Sequence, residues 1–389
     1  MTDKKPKLII EPTPTTPEPL STVGKADVSQ NTFEDNERRS GVNVNYSANT
    51  GDDNYRELGE ELALHVEAAG CFPVILFGSR FTGKTTLLLS LLAAIKTEPR
   101  LRTGLMLGDP LLDINSLVGK EQYEIAEEIF GQKTQQFIEG VKPTATFVKR
   151  PFFIPIDFQP YGKPDTKFAF MESNGEWYMP DRTSAKFFRP LQKHIEDFIR
   201  CYQGPITFIH VLPFTQNAST TLSAAEKVKD VELIQEASLA ISGALQAYER
   251  VRIDKGNDNH LLLVTKWDAR ERAGLSKKDS LNGTTEEVSE FVEANYSQAY
   301  AAFEGMKLRK DQKYIASYCS GLMNEANVLV LRRSNDLRLD VLSYPVNLWK
   351  WFYGNALSAA GLPKQDPFPS PEPLGLLERF FNWLNKLLK

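Results

Sequence analysis

An eight-residue stretch at 78–85, GSRFTGKT, constrains the fold of this chain more than any other feature. It follows the apolar run PVILF at 73–77 and precedes a helical pattern at 86–95, so the order is strand, loop, helix. The backbone N–H groups of a glycine-containing loop at a helix N-terminus can surround a phosphate, and the helix dipole attracts the anion. The stretch matches the G-x-x-x-x-G-K-[ST] pattern in full. It predicts a phosphate-binding loop within an α/β fold, and the alternative is a glycine-bearing turn that binds nothing.

The motif assigns a role to most of its members. Gly78 and Gly83 permit the tight turn of the loop, Lys84 reaches the β and γ oxygens of a triphosphate, and the Thr85 hydroxyl can ligate Mg²⁺. We include Thr86, the next residue of the helix, among the predicted nucleotide-binding residues.

Composition excludes several classes of protein. The chain has 389 residues, of which 41% are apolar and 25% charged, which suits one large α/β domain or two modest ones. A net charge of −4 gives no overall field for nucleic acid, so we expect no specific nucleic-acid partner. The three cysteines form no CxxC pair, and no signal-type segment or long apolar run is present. We therefore expect a reduced, cytoplasmic protein without structural zinc.

The chain divides into four predicted regions. Residues 1–52 are rich in proline and polar residues and are predicted to be disordered, whereas 53–357 form the main domain. Residues 358–373 are a proline-rich linker, and 374–389 form an amphipathic helix with its leucines and phenylalanines on one side. This helix is predicted to dock on the domain or a partner protein, or to contact a membrane surface peripherally, at the inner face of the membrane. We also consider a homo-oligomer.

Strands alternate with helices through the main domain. This pattern predicts a mostly parallel sheet with helices on both faces and one antiparallel β-hairpin, formed by 152–158 and 167–171 around a short connector that contains proline and glycine. Other predicted strands are 73–77, 205–212, 261–264, 314–316 and 328–331, and 103–110 is predicted as a short strand closed by a turn. Predicted helices are 55–69, 86–95, 123–138, 184–202, 222–250, 285–303 and 345–357.

The tetrapeptide TKWD at 265–268 follows a predicted strand, at the sheet edge where ligands of open α/β sheets bind. The Asp268 carboxylate there can accept both N1–H and the exocyclic N2–H₂ of guanine, a donor pair that adenine lacks. The aliphatic stem of Lys266 can cover the face of the base. The alternative is a turn whose charged residues are merely solvated.

A third motif, FAFMESNGE at 168–176, is an apolar strand that ends in a carboxylate. Glu172 can hold Mg²⁺ through water, and the N–H of Gly175 can contact the γ-phosphate. The following stretch, 177–182, occupies the position of a switch that orders in the presence of the γ-phosphate. The alternative is a hairpin strand that ends in an exposed turn.

The three motifs together resemble the translation-factor-related class of P-loop GTPases. More narrowly, ESNGE, the KPTAT loop at 142–146 and PVNLWKWF at 345–352 resemble the bacterial "double-GTPase" type found in conflict and defence operons. The resemblance covers about 72–353. It implies a GTP-binding regulatory protein that hydrolyses GTP to GDP with Mg²⁺ and switches its loops to control partner proteins.

The resemblance also implies roles for individual residues. Thr144 or Thr146 would be the switch threonine that closes on Mg²⁺ and the γ-phosphate, and Glu172 with Gly175 would form the second switch. Ser317, after a predicted strand, would belong to the loop whose backbone contacts the guanine carbonyl.

The chain departs from the class pattern at three positions. Glu172 replaces an aspartate, Thr265 replaces an asparagine that chiefly braces the loop, and Glu176 stands where many small GTPases have a water-orienting glutamine. The charge of Glu176 would repel the γ-phosphate, so we expect slow hydrolysis without a partner. Arg80 or Arg182 could supply positive charge in cis, and a surface salt bridge is the alternative for each.

Two other functions are consistent with the sequence. One is a nucleotide-binding scaffold or assembly subunit with little hydrolysis, which the glutamates at 172 and 176 favour. The other is an ATPase in which Asp268 is a surface carboxylate. Competition between bases in a binding experiment separates the ATPase from the GTPase.

Overall fold

The computed structural model describes the main domain of the chain with several gaps. The described residues are 52–141, 152–172, 191–215, 224–267, 269, 285–320, 322–325, 328–331 and 342–368.

A seven-stranded sheet forms the centre of the domain. Its strands are β1 (Cys71–Phe77), β2 (Thr103–Leu107), β3 (Phe152–Pro160), β4 (Thr166–Glu172), β5 (Thr207–Pro213), β6 (Asn259–Thr265) and β7 (Lys313–Ser317). They lie in the order β2-β3-β4-β1-β5-β6-β7, and only β3 runs opposite to the other strands of this sheet. The predicted mostly parallel sheet and its antiparallel hairpin, β3 with β4, are therefore confirmed. Gly162, in the left-handed region at φ 68°, lies in the turn between these strands.

Helices cover both faces of the sheet, as predicted. They are α1 (Asp52–Ala68), α2 (Lys84–Thr97), α3 (Leu117–Glu128), α4 (Thr134–Ile138), α5 (Lys193–Cys201), α6 (Ala224–Val251), α7 (Thr285–Asn295), α8 (Ser297–Glu304) and α9 (Ser343–Ala359). Side chains alternate between the faces along β1: Ile75 and Phe77 pack with α1, α5, α6, α7 and α8, whereas Val74 and Leu76 pack with α2, α3, α4 and α9. Both faces of the strand are buried, which explains its continuous apolar sequence.

Several elements differ from the prediction. A second antiparallel pair, β8 (Leu322–Glu325) with β9 (Val328–Leu331), forms a separate two-stranded sheet that the prediction did not include. The predicted helix 123–138 begins earlier, at Leu117, because the Ser116 hydroxyl accepts from the N–H of Gly119 at 2.9 Å and caps the helix. A π-helical turn, Ile129–Lys133, then separates α3 from α4. The predicted helix 285–303 is divided at Tyr296 into α7 and α8.

The C-terminal part of the described chain continues past α9. This helix extends two residues into the stretch 358–373 that is predicted as a linker, and Phe368 is buried with its ring centroid 6.4 Å from that of Phe158. Residues 1–51 of the predicted tail at 1–52 and the amphipathic segment 374–389 lie outside the described residues, whereas Asp52 begins α1. Within the described part of the chain, no helix combines the length and hydrophobicity that crossing a membrane requires.

Candidate functional site

The two glycines of the phosphate-loop motif meet different structural demands. Gly83 is the N-cap of α2 and has φ 92°, a left-handed conformation that glycine adopts without a steric penalty. A Cβ on Gly78 would lie 2.9 Å from the carbonyl oxygen of Val211 and 2.7 Å from Oγ1 of Thr82, so only glycine fits between the loop and β5. The loop therefore turns tightly from the end of β1 into the N-terminus of α2. The predicted strand–loop–helix order is confirmed.

Lys84, the first residue of α2, is held against this loop. Its Nζ donates to the carbonyl oxygens of Gly78 at 2.8 Å and Ser79 at 3.0 Å, and the side chain is buried. Burial lowers the pKa of the Lys84 ammonium to about 8, and the charge of Glu172 acts in the opposite direction. The ammonium is thus anchored by backbone carbonyls at the position where the motif requires a phosphate-binding cation.

Glu172 ends β4, next to the phosphate loop at the end of β1, because β1 and β4 are parallel neighbours. The Thr85 hydroxyl donates to Oε1 of this carboxylate, and Oε2 is buried with no hydrogen-bond partner among the described residues. Burial raises the pKa of Glu172, whereas the hydrogen bond from Thr85 and the charges of Lys84 and Lys133 lower it. The predicted metal ligands Thr85 and Glu172 therefore lie together.

This pair of oxygen ligands suits Mg²⁺. The ion is usually held by one or two carboxylates together with substrate phosphates and water, rather than by an all-protein cage. The described residues contain no group of three or more His, Cys, Asp and Glu side chains that could hold a metal. The buried oxygen Oε2 of Glu172 is available as a ligand.

The predicted base-binding motif contacts the phosphate loop directly. The Thr265 hydroxyl donates to the carbonyl oxygen of Thr82 at 2.6 Å, and Nζ of Lys266 donates to the carbonyl oxygen of Phe81 at 2.9 Å. Lys266 and Phe81 both have left-handed backbones, at φ 57° and 61°. Such conformations are costly for long side chains and concentrate at functional sites. The structure thus joins two motifs that are far apart in the sequence.

Trp267 anchors the described part of the motif in the core. Trp267 is buried, and its ring lies at centroid distances of 5.6 Å from Phe214 and 5.7 Å from Phe291. Ser317 is the last residue of β7 and lies in register with Val264 of β6, so the predicted guanine-contacting loop begins beside the TKWD motif.

The other predicted site residues fall into two groups. Arg80 is exposed within the phosphate loop, and Thr86 is half-buried on α2. The remaining ones lie outside the described residues: Thr144, Thr146, Gly175, Glu176, Arg182 and Asp268.

Sequence reasoning did not single out Phe81, whose carbonyl oxygen accepts from Lys266, or Tyr318, whose carbonyl oxygen accepts from the N–H of Trp267 at 3.2 Å. Phe81 stands at an unspecified position of the motif and is 77% exposed, so no pattern points to it. Tyr318 directly follows Ser317, and this adjacency is the one signal that could have marked it.

No protein-family model matches the chain, and no curated protein sequence matches it either. Among solved structures, the chain is similar to a dimerization-deficient mutant of Toc33 from Arabidopsis thaliana, at 12% identity and a TM-score of 0.34. The match covers 78% of this chain and 93% of the Toc33 chain. A likeness this distant carries no argument about activity. The α/β P-loop fold of the protein is established by its own sheet order and by the geometry of its phosphate loop.

Proposed function

We propose that this protein binds GTP with Mg²⁺ and hydrolyses it to GDP, and that it acts as a regulatory switch. The observation that carries the proposal is the direct bonding of Thr265 and Lys266 to carbonyl groups of the phosphate loop, at 2.6 Å and 2.9 Å. The motif that predicts base recognition therefore contacts the motif that predicts phosphate recognition through these two residues.

The phosphate side of the site supplies electrostatic stabilisation. The N-terminus of α2, the loop N–H groups and Lys84 are positioned to neutralise charge that develops on the phosphate oxygens when water attacks the γ-phosphate in line. Thr85 and Glu172 would hold Mg²⁺, which neutralises charge on the β and γ oxygens when bound. Arg80 is exposed on the same loop.

The two predicted switch segments connect to the same end of one hairpin. Phe152 begins β3 in register with Glu172 at the end of β4, so 142–151 leads into this end and 173–190 leads out of it. We propose that Thr144 or Thr146 in the first segment, and Gly175 in the second, close on the γ-phosphate and open after hydrolysis.

Partner proteins would sense the difference between the closed and the open switch segments. That the protein belongs with the double-GTPases of defence operons is a proposal that rests on sequence motifs alone. The amphipathic segment 374–389 is proposed as a docking element for a partner protein. The full chain and a chain lacking 374–389 are each sedimented with liposomes, and we expect the same amount of each to sediment. If deletion of 374–389 abolishes sedimentation, the segment binds a membrane surface instead.

Base preference tests the proposal. Purified protein is titrated with fluorescent GTP, GDP and ATP analogues in the presence of Mg²⁺, beside the variant Asp268→Asn and the control Asp254→Asn. Asp254 is exposed and precedes the amino-terminal end of β6, whereas the TKWD motif lies at its carboxyl end. Its carboxylate accepts from the N–H of Gly256 at 2.9 Å, a bond that asparagine can keep. We expect guanine nucleotides to bind best, Asp268→Asn to lose that preference and shift towards xanthine nucleotides, and Asp254→Asn to behave as wild type. Equal ATP binding together with a silent Asp268→Asn would favour the ATPase.

Hydrolysis is a separate measurement. Single-turnover conversion of GTP to GDP is followed for wild type and for Thr85→Ala, which removes a proposed metal ligand. Slow but Mg²⁺-dependent turnover that Thr85→Ala abolishes supports a GTPase. Tight GTP binding without any GDP formation would instead favour the nucleotide-binding scaffold.

A further inference from the structure

Tyr318 is bonded through its backbone to the motif proposed to read the base. Its N–H donates to the carbonyl oxygen of Val264 at 2.7 Å, and its carbonyl oxygen accepts from the N–H of Trp267 at 3.2 Å. These bonds continue the pairing of β6 with β7 beyond Ser317. The chain at 317–318 therefore cannot move without the turn at 265–267.

The side chain of Tyr318 makes a second connection, to the phosphate helix. Its hydroxyl lies 2.5 Å from Oγ of Ser90 on α2, the helix that Lys84 begins. The single hydroxyl hydrogen of Ser90 is directed to the carbonyl oxygen of Leu87 at 2.7 Å, so Tyr318 is the donor to Ser90. Both side chains are buried, and burial raises the pKa of the Tyr318 phenol, which keeps its proton for this bond.

Two buried side chains, Tyr318 and Trp267, anchor the chain at 317–318 and the turn at 265–267, and they lie on opposite faces of the sheet. Tyr318 packs in the core with α2 and α9, whereas Trp267 packs in the core with α6 and α7. The Trp267 ring therefore holds the turn at 265–267 from the face of the sheet opposite to α2. Within the described residues, the Tyr318–Ser90 hydrogen bond joins this loop to the body of α2.

We propose that Tyr318 is a positioning residue for base recognition, an inference that rests on the proposed function. Through Ser90 it fixes the separation between the N-terminus of α2, where the phosphates bind, and the loop after β7, whose backbone would contact the guanine carbonyl. Without the phenol hydroxyl, the loop keeps its fold but loses its register against the phosphate helix. Discrimination between guanine and adenine then weakens, whereas recognition of the phosphates does not.

The variants Tyr318→Phe, Ser90→Ala and the double variant test this role. Tyr318→Phe is the gentler change, because Ser90 keeps its bond to Leu87. For each variant, dissociation constants are measured for GTP, GDP and ATP with Mg²⁺. Both single variants are expected to lower the ratio of ATP to GTP dissociation constants by about 3- to 10-fold, the effect of one lost hydrogen bond. The double variant should be no worse than the larger single effect, because one interaction is removed in all three.

Two readouts separate positioning from a merely structural effect. The ratio of GDP to GTP dissociation constants should stay at the wild-type value, because the phosphate contacts come from the loop and Lys84. The matched control is Tyr353→Phe: Tyr353 is also buried, and its hydroxyl donates to the carbonyl oxygen of Pro164 at 2.9 Å, near the opposite edge of the sheet. This control should leave both ratios unchanged, and thermal unfolding verifies that each variant is folded.

Two results would overturn the inference while the proposed function stands. One is a wild-type base ratio in folded Tyr318→Phe and Ser90→Ala. The other is an equal change of the base ratio in Tyr353→Phe. A wild-type protein without any guanine preference would overturn the proposed function, and this inference with it.

Discussion

A pair of buried histidines predicts that the protein loses stability steeply in mild acid. His210 on β5 and His260 on β6 are fully buried, and Nε2 of the first lies 3.0 Å from Nδ1 of the second. The ring of His260 stacks on Phe208 at a centroid distance of 4.5 Å, so the surroundings are largely apolar. Burial lowers the pKa of His210 from 6.5 to about 3. Burial, with the charges of Lys255 and other neighbours, lowers the pKa of His260 well below 6.5.

The sign of the effect follows from these lowered pKa values. Both histidines stay neutral in the folded protein at pH 5, whereas in the unfolded chain each binds a proton as the pH falls below 6.5. The unfolded state then binds more protons, so the free energy of unfolding decreases as the pH decreases. Each histidine contributes about 1.9 kcal/mol between pH 7 and pH 5, and the pair about 4 kcal/mol. A loss of about 4 kcal/mol is a large part of the 5–15 kcal/mol that stabilises a typical domain.

The assay is urea unfolding at pH 7, 6 and 5 for wild type and for the double variant His210→Leu/His260→Leu. Replacing both members of the pair leaves no unpaired polar partner in the core. All other titrating groups are common to both proteins, so their contributions cancel in the comparison of pH dependence. The variant should lose about 4 kcal/mol less than wild type between pH 7 and pH 5.

The control is His65→Gln, which removes a histidine whose side chain is 46% exposed on α1. It tests whether the loss of a histidine as such changes the pH dependence. If wild type and the double variant lose the same free energy of unfolding within about 1 kcal/mol, the argument from burial is refuted.

Two further predictions concern the loop brace and a buried ion pair. Thr265→Val removes the donor to the Thr82 carbonyl and should weaken GTP and ATP binding alike, by about 3- to 10-fold, in nucleotide titrations; unchanged affinities would show that the loop needs no brace. Arg252 donates from Nε to Oδ2 of Asp258 at 2.8 Å, with both side chains buried. Arg252→Met leaves that carboxylate uncompensated and should lower the free energy of unfolding by about 3–5 kcal/mol in urea, and a loss below about 1 kcal/mol would contradict this.

The parts of the site that the sequence predicted are those written in contiguous residues. The phosphate loop is one such part, because its glycines, lysine and threonine stand at set spacings between a strand and a helix. Gly83 adopts the left-handed backbone that this loop requires, and Lys84 begins α2 as the motif implies. The hairpin of β3 and β4 was predictable for the same reason, since a short proline- and glycine-containing connector favours an antiparallel return.

Local patterns failed where a distant contact decides the backbone. The helical periodicity of 285–303 continues through both α7 and α8, so it shows no interruption. The break occurs at Tyr296, whose hydroxyl donates to the carbonyl oxygen of Pro213 at 2.5 Å, at the end of β5. The first strand of the second hairpin, β8, was not predicted because its four residues include Asn324 and Glu325 and form no apolar run.

By itself, the amino-acid sequence predicted the order of most strands and helices, the phosphate loop and the residues proposed to recognise a phosphate and a base. Only the tertiary structure decided how these parts are joined. Lys266 bonds to Phe81, and Tyr318 bonds to Ser90, although each pair is far apart along the chain. Such pairs leave no local signal, because hydrophobic burial and strand pairing place them together whatever their separation in the sequence.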